Sequence, residues 1–170
     1  MRIIAGNILG LALFASSLGA FYVHQRDKAA TRPASEDKVT EYRVDYARQK
    51  AKAMHRFLII EFGAGWCEDC RAFQRDLEGP AIRQYFQDHF DFLMVDIGHS
   101  DRNFEAAESL GVDLDHGIPA VVCFAPDGTR IGATNKGELE PSRSYRPEQI
   151  LAFLKAVVDD RTIVNPGASQ

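Results

Sequence analysis

Residues 62–73 read FGAGWCEDCRAF and place Cys67 and Cys70 two residues apart, directly after Trp66, the chain's only tryptophan. A Cys-x-x-Cys pair supports three chemistries: it exchanges thiol for disulfide, it supplies part of a metal site, or it closes a structural staple. A zinc centre needs about four ligands. No second cysteine pair and no His-x-x-x-His spacing occurs later in the chain, and the five histidines are scattered at 24, 55, 89, 99 and 116. The third cysteine, Cys123, stands far along the chain in AVVCF and reads as a small core residue. Three cysteines in 170 residues do not make a disulfide scaffold, because a chain of that length buries an adequate core without staples.

Exchange requires a thiolate that attacks a sulfur. A cysteine at the amino end of a helix meets unpaired N–H groups and the positive end of the helix dipole, and both favour the thiolate. Two intervening residues bring the second sulfur back to the first across one helical turn. Glu68 and Asp69 fill that interval. They suit a first helical turn, yet their charge disfavours a neighbouring thiolate and so makes the pair more reducing.

The flanking elements follow from periodicity. Val39, Tyr42, Tyr46 and Ala53 recur at helical spacing between Val39 and His55. FLIIEF reads as a buried strand that carries one acid, Glu61, and FDFLMVDI (90–97) as a second buried strand. Gly63 and Gly65 turn the first strand into the cysteine pair, after which a helix buries Phe73 and Leu77 and stops at Gly79-Pro80. Pro80 is placed to open the next helix, through Ile82 and Phe86. Asp101 is the expected cap of a short helix ending at Gly111. IPAVVCFAPDGTRIGAT is a strand, a Pro-Asp-Gly turn and a second strand. A final helix starts after Pro147, with Ile150, Leu151, Phe153, Leu154, Val157 and Val158 on one face. The expected fold class is α/β: a small mixed parallel and antiparallel sheet with helices on both faces.

Residues 1–23 begin with one positive charge and run apolar from Ile3 to Val23, long enough for a membrane anchor and compatible with a signal peptide. Either one exports the rest of the chain. Residues 24–38 have linker composition, 39–161 form the expected domain, and 162–170 read as a flexible tail. Export puts the cysteine pair in an oxidising compartment, most directly the periplasm, with 3–23 as an inner-membrane anchor. A net charge of −4 without a basic block excludes a nucleic-acid footprint.

FLIIEFGAGWCEDCRAF and, later, GIPAVVCFAPDG together resemble the thioredoxin superfamily over about residues 39–160. The G-A-x-W-C-x-D-C motif, with GHSDRN and NKGELEPSR later, is similar to exported or membrane-anchored members. The resemblance implies a thioredoxin fold and thiol–disulfide oxidoreductase activity on protein disulfides. It implies that Cys67 attacks and Cys70 resolves. Pro119 is the implied cis-proline that leaves the Ile118 edge open to substrate, Trp66 the aromatic lip, and Glu61 a buried acid relaying protons. It further implies a thiol electron donor, including a membrane electron relay, and no cofactor or metal. One departure stands out: the reductases' Gly-Pro dipeptide is Glu68-Asp69 here, so no redox potential transfers. Two other readings compete, a dithiol module that handles copper or zinc and a non-catalytic binding domain on the same fold. Arg71, Arg75, Lys136 and Arg143 read as solvated charges, with a docking rim as the alternative, and His116, just before Gly-Ile-Pro, as a surface residue or one lying behind the groups that touch the cysteines.

Overall fold

The computed structural model describes residues 34–168. The expected anchor or signal at 1–23 and the linker up to residue 33 lie outside the described residues. Among the described residues no helix is long and apolar enough to cross a membrane.

The elements are α1 (Ala34–Ala53), β1 (Phe57–Gly63), α2 (Glu68–Glu78), α3 (Arg83–His89), β2 (Phe90–Asp96), α4 (Phe104–Ser109), β3 (Ala120–Phe124), β4 (Arg130–Ala133) and α5 (Pro147–Asp159). Short 3-10 turns stand at Ser142–Ser144 and Pro166–Ala168. The sheet order is β2-β1-β3-β4. The strand β1 pairs parallel with β2 and antiparallel with β3, and β3 pairs antiparallel with β4. This is the expected mixed sheet with helices on both faces.

The centre of the sheet explains its sequence. Every residue of β1 is buried, and apart from Glu61 its side chains are apolar on both faces. Alternation sends Leu58, Ile60 and Phe62 into a core with Val44, Ala51, Val95 and Val122. It sends Phe57 and Ile59 into a second core with Phe73, Leu77, Cys123, Phe153 and Leu154. The fully enclosed large apolar side chains among these, such as Ile60, Phe62, Ile59, Phe73, Phe153 and Leu154, each contribute about 1.5–3 kcal/mol relative to exposure. Glu61 falls on the second side, facing α2.

Several boundaries and faces differ from expectation. The helix α1 starts at Ala34, inside the stretch read as linker, because composition alone does not separate a polar helix end from a linker. Its buried face is Thr40, Val44 and Ala51, not the tyrosines: Tyr42 and Tyr46 are exposed and stack on each other at 6.5 Å. Small residues let the helix approach the sheet, and aromatics one turn apart share the period but not the face. The strand β2, expected to be buried, is an edge strand in which only Phe90 and Val95 are buried, since only β1 covers its flank. The helix after Pro80 begins at Arg83, behind a turn. Asn103, not Asp101, precedes α4; its φ is +60° and its side-chain amide donates to Asp96 O at 2.7 Å. Residues 162–168, read as tail, lie against the fold. Pro166 is buried and its carbonyl accepts from Gln149 at 3.0 Å, while Ile163 packs beside Gly132.

Candidate active site

The chain leaves β1 at Gly63, turns through Ala64–Trp66, and enters α2 at Cys67. Cys67 is the cap of α2, with its sulfur accepting the backbone N–H of Cys70 at 3.0 Å. The helix is fixed there by its own buried face, Cys70, Phe73 and Leu77, which recurs at intervals of three and four. Cys67 and Cys70 are disulfide-bonded, with Cα atoms 5.3 Å apart. Their exposure is unequal: Cys67 is 5% exposed and Cys70 0%. A molecule approaching from solvent meets Cys67.

Two loops frame that sulfur. The Ile118–Pro119 bond is cis, and the Ile118 carbonyl oxygen lies 3.5 Å from Cys67 Sγ. Pro119 is buried and Ile118 half-buried. Trp66, directly before Cys67, is 51% exposed; its indole N–H donates to Gly98 O at 2.7 Å, and its ring stacks on His99 with centroids 6.2 Å apart. Proline has no N–H, and β3 begins only at Ala120, so the Ile118 backbone lies outside the strand ladder.

Behind the disulfide lies Glu61, fully buried. Its Oε2 accepts an N–H from Gln74 at 2.8 Å, and its Oε1 has no hydrogen-bond partner among the described residues. Burial pushes its pKa from 4.5 up to about 7, against the opposing pull of the Gln74 bond. A β-carbon at Gly63 would lie 2.9 Å from Glu61 Oε1 and 3.1 Å from Cys70 Sγ. The carboxyl and the second sulfur therefore flank one small gap that exists because residue 63 has no side chain. A carboxyl that titrates near neutrality beside a buried sulfur can take up or give back a proton there.

The two acids between the cysteines are not both solvated. Asp69 is buried, and both its oxygens are taken: Oδ1 accepts the Arg143 backbone N–H at 2.9 Å, and Oδ2 lies 3.3 Å from Arg143 Nε. Glu68 is exposed and pairs with Nη1 of the same guanidinium. Arg143, read as a solvated charge, is indeed exposed, but it also pairs with both carboxylates. No local pattern foretells a partner 74 residues away. Gln74 is a second functional neighbour that sequence reasoning misses, although its spacing of four from Cys70 puts it on the same helix face.

Other candidates lie elsewhere. Cys123 is fully buried in β3, and burial pushes its thiol up to about 12. His116 is exposed and 3.8 Å from Asp113. Among the described residues no group of three or more His, Cys, Asp or Glu is placed to hold a metal ion.

Comparison with known proteins agrees with this geometry. The family described as Thioredoxin-like matches residues 40–126. The thiol:disulfide interchange protein TxlA of Synechococcus elongatus is 30% identical over 129 residues, 74% of this chain and 61% of its own length. The chain thus spans less than two thirds of that relative. A crystal structure of a disulphide isomerase from Xylella fastidiosa Temecula1 is 32% identical with a TM-score of 0.66, covering 69% of this chain and 90% of that one. The stretch matched by the family takes in Glu61, Trp66, both cysteines, Ile118 and Pro119. The chain belongs to the thioredoxin-like family.

Proposed function

We propose that this protein is a thiol–disulfide oxidoreductase that reduces protein disulfides outside the cytoplasm. The observation that carries the reading is the disulfide at the start of α2, with Cys67 reachable and Cys70 closed behind it. In the dithiol state the Cys67 thiolate attacks a substrate disulfide. A Cys67–substrate bond forms, and the first substrate sulfur leaves as thiolate. Cys70 then attacks the Cys67 sulfur, the second substrate sulfur leaves, and the internal disulfide forms. The substrate gains two electrons and the enzyme loses two. The proton of Cys70 passes to the Glu61 carboxylate, which the gap beside Gly63 brings into reach. An external dithiol donor restores the reduced pair. An extended substrate segment would lie along the Ile118 backbone, with Trp66 as the aromatic lip.

The reducing direction is supported by charge. Glu68 and Asp69 share a single guanidinium, so one of their two charges stays uncompensated beside Cys67 and disfavours its thiolate, while Arg71 in the same turn is directed to Gly65 O. Equilibration with glutathione tests this; a potential near that of the strongest oxidases, about −120 mV, would reject it. Export is supported by the apolar run from Ile3 to Val23. That run would anchor the domain on the periplasmic side of the inner membrane, beside a membrane electron relay as donor. Protease accessibility in spheroplasts checks the location.

Insulin reduction by dithiothreitol tests the activity itself. The protein should accelerate precipitation of the reduced chains, and Cys67→Ser should abolish the acceleration. Equal rates with both would reject oxidoreductase activity.

A further inference from the structure

Arg143 lies outside the segment that the family match covers, yet it reaches both residues that separate the cysteines. Its backbone N–H and Nε take the two oxygens of Asp69, and its Nη1 takes Glu68. The grip is built rather than incidental. Leu139 and Ser142, which precede it, are fully buried; the Ser142 hydroxyl donates to Leu139 O, and the Tyr145 hydroxyl donates to Glu138 O at 2.9 Å. The same loop abuts the turn that leads to Pro119. A β-carbon at Gly137 would stand 2.9 Å from His116 O, and one at Gly117 2.7 Å from the Glu140 side chain. Both glycines have positive φ, +69° and +96°, so the close approach and the turn require residues without a side chain. One loop, residues 135–144, thus touches both the start of α2 and the segment facing Cys67.

We infer that Arg143 is a positioning residue for the cysteine pair: it holds the Glu68 and Asp69 carboxylates on the 135–144 loop, cancels one of their two charges, and so keeps the Cys67 thiolate accessible at neutral pH. Two uncompensated carboxylates one and two residues from Cys67 would repel its thiolate. An arginine shared between them both neutralises and fixes them, and its planar fork holds two carboxylates better than an ammonium does. The arginine is itself half in solvent, so the effect is screened and modest.

This inference rests on Cys67 being the reactive thiol of the proposed function, but its test needs no substrate. The pH dependence of iodoacetamide alkylation of the reduced full chain gives the Cys67 pKa. Arg143→Gln should raise that pKa by about half a unit, and Arg143→Lys, which keeps the charge, should stay close to the parent. In a Glu68→Gln/Asp69→Asn background the guanidinium has no carboxylate to hold, and Arg143→Gln should move the pKa far less. Near-UV circular dichroism and Tm establish that each variant is folded, and Arg143→Ala carries the test if Arg143→Gln is not. An unmoved pKa in the folded charge-deleted variant, or an equal shift in both backgrounds, would overturn the inference. The expected pKa response with no insulin reduction would instead count against the proposed activity alone.

Discussion

Gln74 donates its side-chain N–H to Oε2 of Glu61 at 2.8 Å, while Oε1 of the same buried carboxyl faces the gap shared with Cys70 and has no partner among the described residues. One oxygen is thus held by Gln74, and the other faces Cys70 Sγ across the gap beside Gly63. A buried carboxylate in this position is costly, and the protein holds its proton to about pH 7.

That cost appears as a pH dependence of stability. The unfolded chain releases the Glu61 proton near pH 4.5, and the folded chain keeps it to about 7. Between those values the native state binds more protons, so stability falls as pH rises and levels off above the folded pKa. The loss is about 3 kcal/mol. Glu61→Gln should remove this component, which urea unfolding of the disulfide form at pH 5 and pH 8 would reveal. An unchanged difference between the two pH values would mean the carboxyl is not desolvated as described.

Gln74→Leu deletes the donor that favours the ionised carboxyl. The Glu61 titration should move upward by about one unit, since a hydrogen bond to a charge is worth about 1.5–3 kcal/mol. Infrared difference spectra of the carboxyl band across pH 5–9 measure it directly. A downward shift would show that Gln74 contacts the acid in some other way.

Gly63→Ala places a methyl between Glu61 Oε1 and Cys70 Sγ, closer to each than ordinary contact. Overpacking of this kind costs about 1–3 kcal/mol. The variant should also separate the carboxyl from the sulfur and slow release of product from Cys67, visible in stopped-flow fluorescence of Trp66. A variant as stable and as fast as the parent would show that the gap is not used.

Cys123 should stay silent. Burial raises its thiol far above neutral pH and leaves it no exposed surface. The reduced native protein should titrate with Ellman's reagent as two thiols and the denatured protein as three. Cys123→Ala should leave the rate of insulin reduction unchanged. A third fast thiol in the native state would contradict the packing of β3.

Much of this is legible in the sequence, and the reasons are local. The run FLIIEFG announces a strand buried on both faces, and Cys67-x-x-Cys70 with Phe73 and Leu77 beyond it announces a helix whose first turn holds both sulfurs. The proximity of Ile118-Pro119 to Cys67 comes from the family resemblance, since no spacing encodes it across 51 residues. What stays hidden is tertiary. Periodicity points to the wrong face of α1 because Tyr42 and Tyr46 share the helical period with the true core residues. Asp69 looks like a surface acid because its partner, Arg143, is brought in by a loop with no secondary-structure signal.

The central claim is that Cys67 takes hold of a substrate sulfur and Cys70 releases it. Cys70→Ala, reduced and mixed with a disulfide-bonded protein such as insulin, isolates the first half of that sequence. Non-reducing electrophoresis with peptide mass spectrometry should find substrate joined to Cys67 in this variant, with none accumulating in the parent or in Cys67→Ala. Absence of the adduct, or its attachment at Cys123, would contradict the account.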